Sequence, residues 1–151
     1  MPLRRFLPVL AVLAVIVAAC GMPAPDTPLG IAADSGDARS VNELLAKGAD
    51  PNGMTSFGLT PLVIASRKGH DDVVRALIAG GARIDQVDAP PTREGWTPLM
   101  NAVHKNQARV CKTLIDAGAN VNLKTAGGNS ALRLAGSAQD LIQLLTSAGA
   151  S

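Results

Sequence analysis

Tyrosine is absent from the sequence, and only two phenylalanines and one tryptophan occur in 151 residues. A core built from this chain must be aliphatic, because the large apolar rings that dominate many interiors are not available. Cysteine is almost absent as well. Cys20 and Cys111 are the only two, which excludes a disulfide framework and any paired-cysteine metal or redox motif. Neither sign of charge prevails: fourteen Lys and Arg stand against twelve Asp and Glu, and Arg4 and Arg5 account for the difference. Such a balance gives no argument for nucleic acid as a partner. The sequence also lacks H-E-x-x-H, G-x-S-x-G and a phosphate-binding glycine loop, arrangements that bring metal ligands, nucleophiles or phosphate donors together. No catalytic residue, cofactor or metal site is therefore assigned, and the chain is not expected to be an enzyme. Its length suits one domain.

No apolar run is long enough to span a bilayer. Phe6 to Ala19 is apolar apart from Pro8 and holds fourteen residues, whereas about 20 are needed at 1.5 Å of rise per residue. With Arg4 and Arg5 ahead of it, this stretch has the layout of a secretory leader over residues 1–19. The leader ends in Val17-Ala18-Ala19-Cys20, which resembles the lipobox of bacterial lipoproteins, where cleavage falls before the cysteine and the cysteine is acylated. The resemblance implies lipidation of Cys20 and a membrane anchor on the periplasmic side. Gly21 follows Cys20 with no Asp there, similar to lipoproteins sent to the outer membrane in preference to the inner one. Ordinary cleavage near Ala19, leaving Cys20 as a thiol, is the alternative. Residues 20–26 form the linker, and Gly21 to Asp26 reaches at most about 20 Å when extended, so whatever follows sits close to the anchor. If Cys20 is lipidated, Cys111 has no partner in the chain.

From residue 27 onward the sequence repeats itself. Thr-Pro-Leu begins at Thr27, Thr60 and Thr97, and a degenerate Ser-Ala-Leu begins at Ser130, at intervals of 33, 37 and 33 residues. Other identities keep fixed offsets: Ala32, Ala65, Ala102 and Ala135; then Gly36, Gly69 and, in the third copy, Asn106; then Gly48-Ala49, Gly81-Ala82 and Gly118-Ala119. A period near 33 marks stacked repeats. Each copy reads physically as two short helices. Thr caps an N-terminus through its hydroxyl, and Pro occupies the first helical position, where an N–H has no partner anyway. The Gly nine residues on supplies a left-handed turn that stops the helix. A second helix of about nine residues carries Val73, Val74, Leu77 and Ile78 as one apolar stripe. One such pair cannot bury its stripe alone, so the copies must stack.

These residues resemble the ankyrin repeat. The resemblance covers about Thr27 to Ser151, with copies at about 27–52, 58–85, 95–122 and 128–151. It implies an all-α solenoid of four helix-turn-helix repeats joined by β-hairpin-like loops, working as a non-catalytic protein–protein interaction module. Copies one and four deviate as end caps do: Ser40 replaces the inner Val73 and Val110, and the fourth copy is about two residues short before Gly149. His70 falls on the family's Gly-His position, which implies a structural hydrogen bond to backbone. Cys111 aligns with Val74 on the buried stripe and behaves there as a small hydrophobe.

In ankyrin proteins recognition uses the loop tips and the ends of the first helices. Carried onto this sequence, those positions select Phe57 and Leu59, Glu94 and Trp96, and Asn129 in the loops, with Arg67, Lys68, His104 and Lys105 at the helix ends. Phe57 and Trp96 are the only aromatics after the leader, which suits interface anchors; equally, Trp96 covers the base of its loop. The basic helix ends suit an acidic patch on a partner. The longer interval places Pro90, Pro91 and several charges in a loop over residues 86–94, a partner-specific finger or tolerated length. The sequence thus predicts a monomeric, membrane-anchored adaptor or inhibitor of a periplasmic protein. Two other readings are an immunity protein that neutralises an antibacterial toxin, and a metal-binding or enzyme accessory using His70, Asp71, Asp72 and His104.

Overall fold

In the computed structural model, residues 26–89 and 95–151 are described. The leader, Cys20, most of the linker, Pro90, Pro91 and Glu94 lie outside the described residues. Where the sequence offers a Thr-Pro pair, a helix starts. The first helices of the four copies are α1 (Pro28–Ser35), α3 (Pro61–Lys68), α5 (Pro98–His104) and the single turn α7 (Ala131–Leu134). The second helices are α2 (Ala38–Ala46), α4 (Asp71–Ala79), α6 (Ala108–Asp116) and α8 (Gln139–Ser147), each of nine residues.

The capping chemistry is made as the residue types dictate. The hydroxyls of Thr27, Thr60, Thr97 and Ser130 accept from the backbone N–H groups of Gly30, Val63, Met100 and Arg133 at 3.1, 3.2, 3.1 and 3.3 Å. Each such cap contributes about 1 kcal/mol. Gly36 and Gly69 end α1 and α3 in the left-handed region at φ 76° and 81°. Asn106 takes that conformation after α5, at φ 56°, and is the only non-glycine among the described residues with positive φ; its short amide side chain is one of the few that tolerate it.

Packing follows two parallel ladders. First helices stack in the order α1, α3, α5, α7, and second helices in the order α2, α4, α6, α8, with each pair closed by its own hairpin contact. The aliphatic core runs the length of the array: Val41, Val73, Val74, Leu77, Val110, Cys111, Leu114, Leu141 and Leu145 are at most 1% exposed. Burying a side chain of Val or Leu size contributes roughly 1.5–3 kcal/mol. Ile78 is only partly buried, packed against this core from its edge. The small Ala65 and Ala102, both fully buried, let successive helices approach.

Between repeats the loops have hairpin character, and among the described residues one antiparallel bridge joins Lys124 and Ser130. Thr55 donates its N–H to the Leu59 carbonyl at 2.9 Å, and Thr125 does the same to Asn129 at 2.9 Å. Their hydroxyls accept the return bonds from Leu59 and Asn129 at 3.3 and 3.2 Å. Asn52 ties neighbouring loops together, donating to the Gly81 carbonyl and accepting from the Arg83 N–H at 2.7 Å. Asn122 repeats the pattern on Gly149 and Ser151 at the end of the array.

Candidate partner-binding surface

The ends of the first helices form a row. Asp34, Arg67 with Lys68, and His104 with Lys105 stand at equivalent positions of consecutive copies, because α1, α3 and α5 each start after a capping Thr and run seven or eight residues. Lys68, His104 and Lys105 are exposed, and Arg67 is half-buried. The row is not simply basic: Lys68 Nζ lies 3.1 Å from Asp34 Oδ1, a salt bridge between adjacent repeats. Exposed pairs of this kind add about 1 kcal/mol at most, so Lys68 remains free to exchange Asp34 for another carboxylate.

The loop residues divide into two groups. Phe57 and Asn129 are half-buried and border the surface. Leu59 and Trp96 are 9% and 8% exposed and belong to the core, whereas the sequence put both in the loop set for a partner and offered for Trp96 either an anchor or a cover for the base of its loop. Leu59 and Trp96 are large apolar side chains, and hydrogen bonds to Thr55 and to Asp88 close their loops over the core. The Trp96 indole packs edge-on against the His104 imidazole, ring centres 5.0 Å apart and planes at 77°, an arrangement worth about 0.5–1.5 kcal/mol beyond the area it buries.

Asp88 holds that tryptophan, and sequence reasoning missed it. It is 1% exposed. Its backbone N–H donates to the Trp96 carbonyl at 3.0 Å, while its carboxylate accepts from the Trp96 N–H at 2.7 Å and from the Asn101 amide at 3.4 Å. Asp88 therefore does for the third loop what Thr55 and Thr125 do for the second and fourth. The 37-residue interval hides this equivalence, because the extra residues lie between Asp88 and Trp96 and not ahead of both.

The helix starts carry a second polar network. His70 precedes α4, and its Nε2 lies 3.1 Å from the Asp34 carbonyl oxygen; a side chain at Gly36 would meet the imidazole at 2.8 Å. One repeat on, Gln107 takes the same post and donates to the Arg67 carbonyl at 3.4 Å. Asp71 is 8% exposed and is held between repeats by Thr113, whose hydroxyl donates to Oδ1 at 2.5 Å, and by Arg75 at 3.0 Å. Burial opposes the charge on Asp71, but the Thr113 hydroxyl, Arg75 and Arg109 outweigh it and keep its pKa below the ordinary aspartate value. A cavity of about 220 Å³ lies here, lined by Gly36, Gly69, His70, Asp72 and Arg109 among others. Among the described residues no group of three or more His, Cys, Asp or Glu side chains is placed to hold a metal ion. Cys111 is fully buried, and burial pushes its thiol up to about 12, far from the electropositive, accessible setting of a reactive cysteine.

Helix pairs stacked in two ladders, loops tied by side-chain amides and a capping Thr or Ser in every copy define a helical repeat solenoid. The family described as ankyrin repeats (3 copies) matches residues 29–125 and again 89–151, and the chain belongs to that family. It is 37% identical over 101 residues to the ankyrin repeat domain-containing protein SAT10 of Stachybotrys chartarum, covering 67% of this chain and 5% of that protein. It is 35% identical over 105 residues to human ankyrin repeat and KH domain-containing protein 1, covering 70% of this chain and 4% of that protein. A putative ankyrin repeat-containing protein of Treponema pallidum is 34% identical over 113 residues, which is 74% of this chain and 37% of the relative. The chain thus spans a small part of the length of these relatives. Membership of that family suggests a protein–protein interaction module.

Proposed function

We propose that this protein is a membrane-anchored, monomeric adaptor or inhibitor that binds one periplasmic protein through the helix-end row, with Cys20 acylated and holding the repeats near the outer membrane. The observation that carries the binding face is the placement of Lys68, His104 and Lys105 as exposed side chains at the ends of consecutive first helices, with Arg67 half-buried ahead of Lys68 and Phe57 and Asn129 half-buried in the loops. A partner with an acidic patch matches that row, and an approaching carboxylate replaces Asp34 on Lys68. The anchor rests on the leader layout and on Val17-Ala18-Ala19-Cys20. Among the described residues no helix is long and apolar enough to cross a membrane. Several acyl chains on one residue hold stably where a single chain binds only marginally.

Crosslinking on intact membranes followed by affinity purification tests the face. Wild type is compared with the Lys68→Glu, Lys105→Glu double variant, which leaves the core untouched and is checked by circular dichroism. One protein recovered by wild type and reduced at least tenfold by the variant supports the reading; equal recovery from both removes the row from consideration. Cys20→Ser tests the anchor separately: the protein is expected to leave the membrane fraction, and retention there sinks the lipid attachment.

A further inference from the structure

Exposed large apolar side chains are few among the described residues: Ile31 at 49%, Met54 at 41% and Val87 at 43%. Scattered singly, such residues mean little. Met54 and Val87 are not scattered. Met54 precedes Thr55 and Val87 precedes Asp88, the two residues that exchange hydrogen bonds with Leu59 and with Trp96. The same bonds join Thr125 to Asn129, so the third member of the series is Lys124, also exposed. Met54, Val87 and Lys124 therefore occupy one station of three consecutive loops. The loops touch: the Ala89 N–H donates to the Gly58 carbonyl at 2.8 Å. Beside Val87 stands Gly95, where a side chain would lie 3.8 Å away and shield it.

The geometry points to this row as the seat of an extended segment of a partner protein, carrying two apolar side chains three residues apart and a carboxylate three residues further along. The inference rests on the interaction-module reading and names the partner's chemistry. Its argument is one of pitch and charge. Stacked helices pack about 8–10 Å apart, which sets the distance from one loop station to the next. A polyproline-type chain advances about 3.1 Å per residue with three residues per turn, so side chains three apart lie on one face and match one repeat, whereas in a β-strand they point to opposite faces. A helical partner, rising 1.5 Å per residue, needs about seven. The first two stations present apolar surface that solvent does not favour, and the third presents an ammonium group, which selects an acidic residue.

The test is selection of a displayed random peptide library on the immobilised full chain. Enriched peptides are expected to show apolar residues at a spacing of three with Asp or Glu three further on. Met54→Ser with Val87→Ser should weaken the best peptide about tenfold. Lys124→Glu should weaken it about fivefold and, on reselection, replace the acidic preference by a basic one. Enrichment at a spacing of seven overturns the extended mode. Peptides indifferent to Met54 and Val87 but lost in Lys68→Glu, Lys105→Glu overturn the row and leave the interaction module standing. No enrichment also overturns the row, and the module then depends on the crosslinking result alone. Binding to phosphatidylglycerol vesicles that falls in the Met54, Val87 variant reassigns the row to a lipid surface.

Discussion

Trp96 illustrates how one side chain changes meaning once its neighbours are known. Its ring is buried against His104 and its backbone is held on both sides by Asp88. Trp96→Ala is therefore expected to destabilise the fold by about 3–5 kcal/mol, as large-to-small core changes do, measurable as a shift of the urea midpoint. A change under about 1 kcal/mol would mean that the indole is not part of the core. Asp88→Ala removes the side-chain acceptor of the Trp96 backbone N–H and the longer of the two Asn101 amide bonds, leaving the one to the Thr97 carbonyl, and a loss of about 1–3 kcal/mol is expected. Asp71 adds a pH dependence of defined sign. Its folded pKa is lowered, so the unfolded state takes up its proton first as pH falls, and the stabilisation present above the unfolded value, about 3.9, is lost as pH drops through the folded value. Asp71→Asn should lower stability at neutral pH, and the gap to wild type should close on acidification below about pH 4. A gap that stays constant across that range would refute the charge as its source.

At the scale of the element, what matters is how a first helix stops and a second begins. Gly69 combines two demands, a left-handed φ of 81° and a close approach from the Gln107 amide. Gly69→Ala is expected to lower stability by at least about 1–2 kcal/mol from the backbone alone, with the displaced glutamine adding to it. Pairing it with Gln107→Ala should recover part of the loss in a double-mutant cycle, since the crowding disappears while the φ penalty remains. Additive effects would show that the backbone conformation is the only cause. The outer copies differ elsewhere: α7 is one turn of four residues, and Ser40, where the inner copies carry a buried valine, spends its hydroxyl on Asp37 at 2.6 Å.

For the whole molecule, contacts run between neighbouring repeats, so stability is nearly a sum of repeat and interface terms. The inner copies are packed on both sides, and the outer ones on one. Amide exchange is expected to be slowest in α3 to α6 and fastest in α7 and α8, where Ile142 and Leu144 are only half-buried. Uniform protection across all eight helices would indicate a single cooperative unit instead. The same one-dimensional architecture makes surface stations recur at the pitch of the helices, which is why a row of three loop residues matches a regular feature of a partner chain.

The sequence by itself determined the repeat and the helix pairs, because Thr, Pro, Ala and Gly at fixed offsets act locally: a hydroxyl caps, a ring fixes φ, a missing Cβ permits a turn. The place of Cys111 in the core was legible for the same reason, from its register with Val74. The burial of Leu59 was not, and for Trp96 the sequence left an interface anchor and a cover for the loop base as alternatives. A loop side chain turns in or out according to hydrogen bonds closed across the loop, and for Trp96 the partner is Asp88, eight residues away. The roles of Asp88, Gln107 and the Met54, Val87, Lys124 row were decided only by the tertiary structure, because an insertion of unequal position breaks the offset on which periodicity depends, while stacked loops restore it in space.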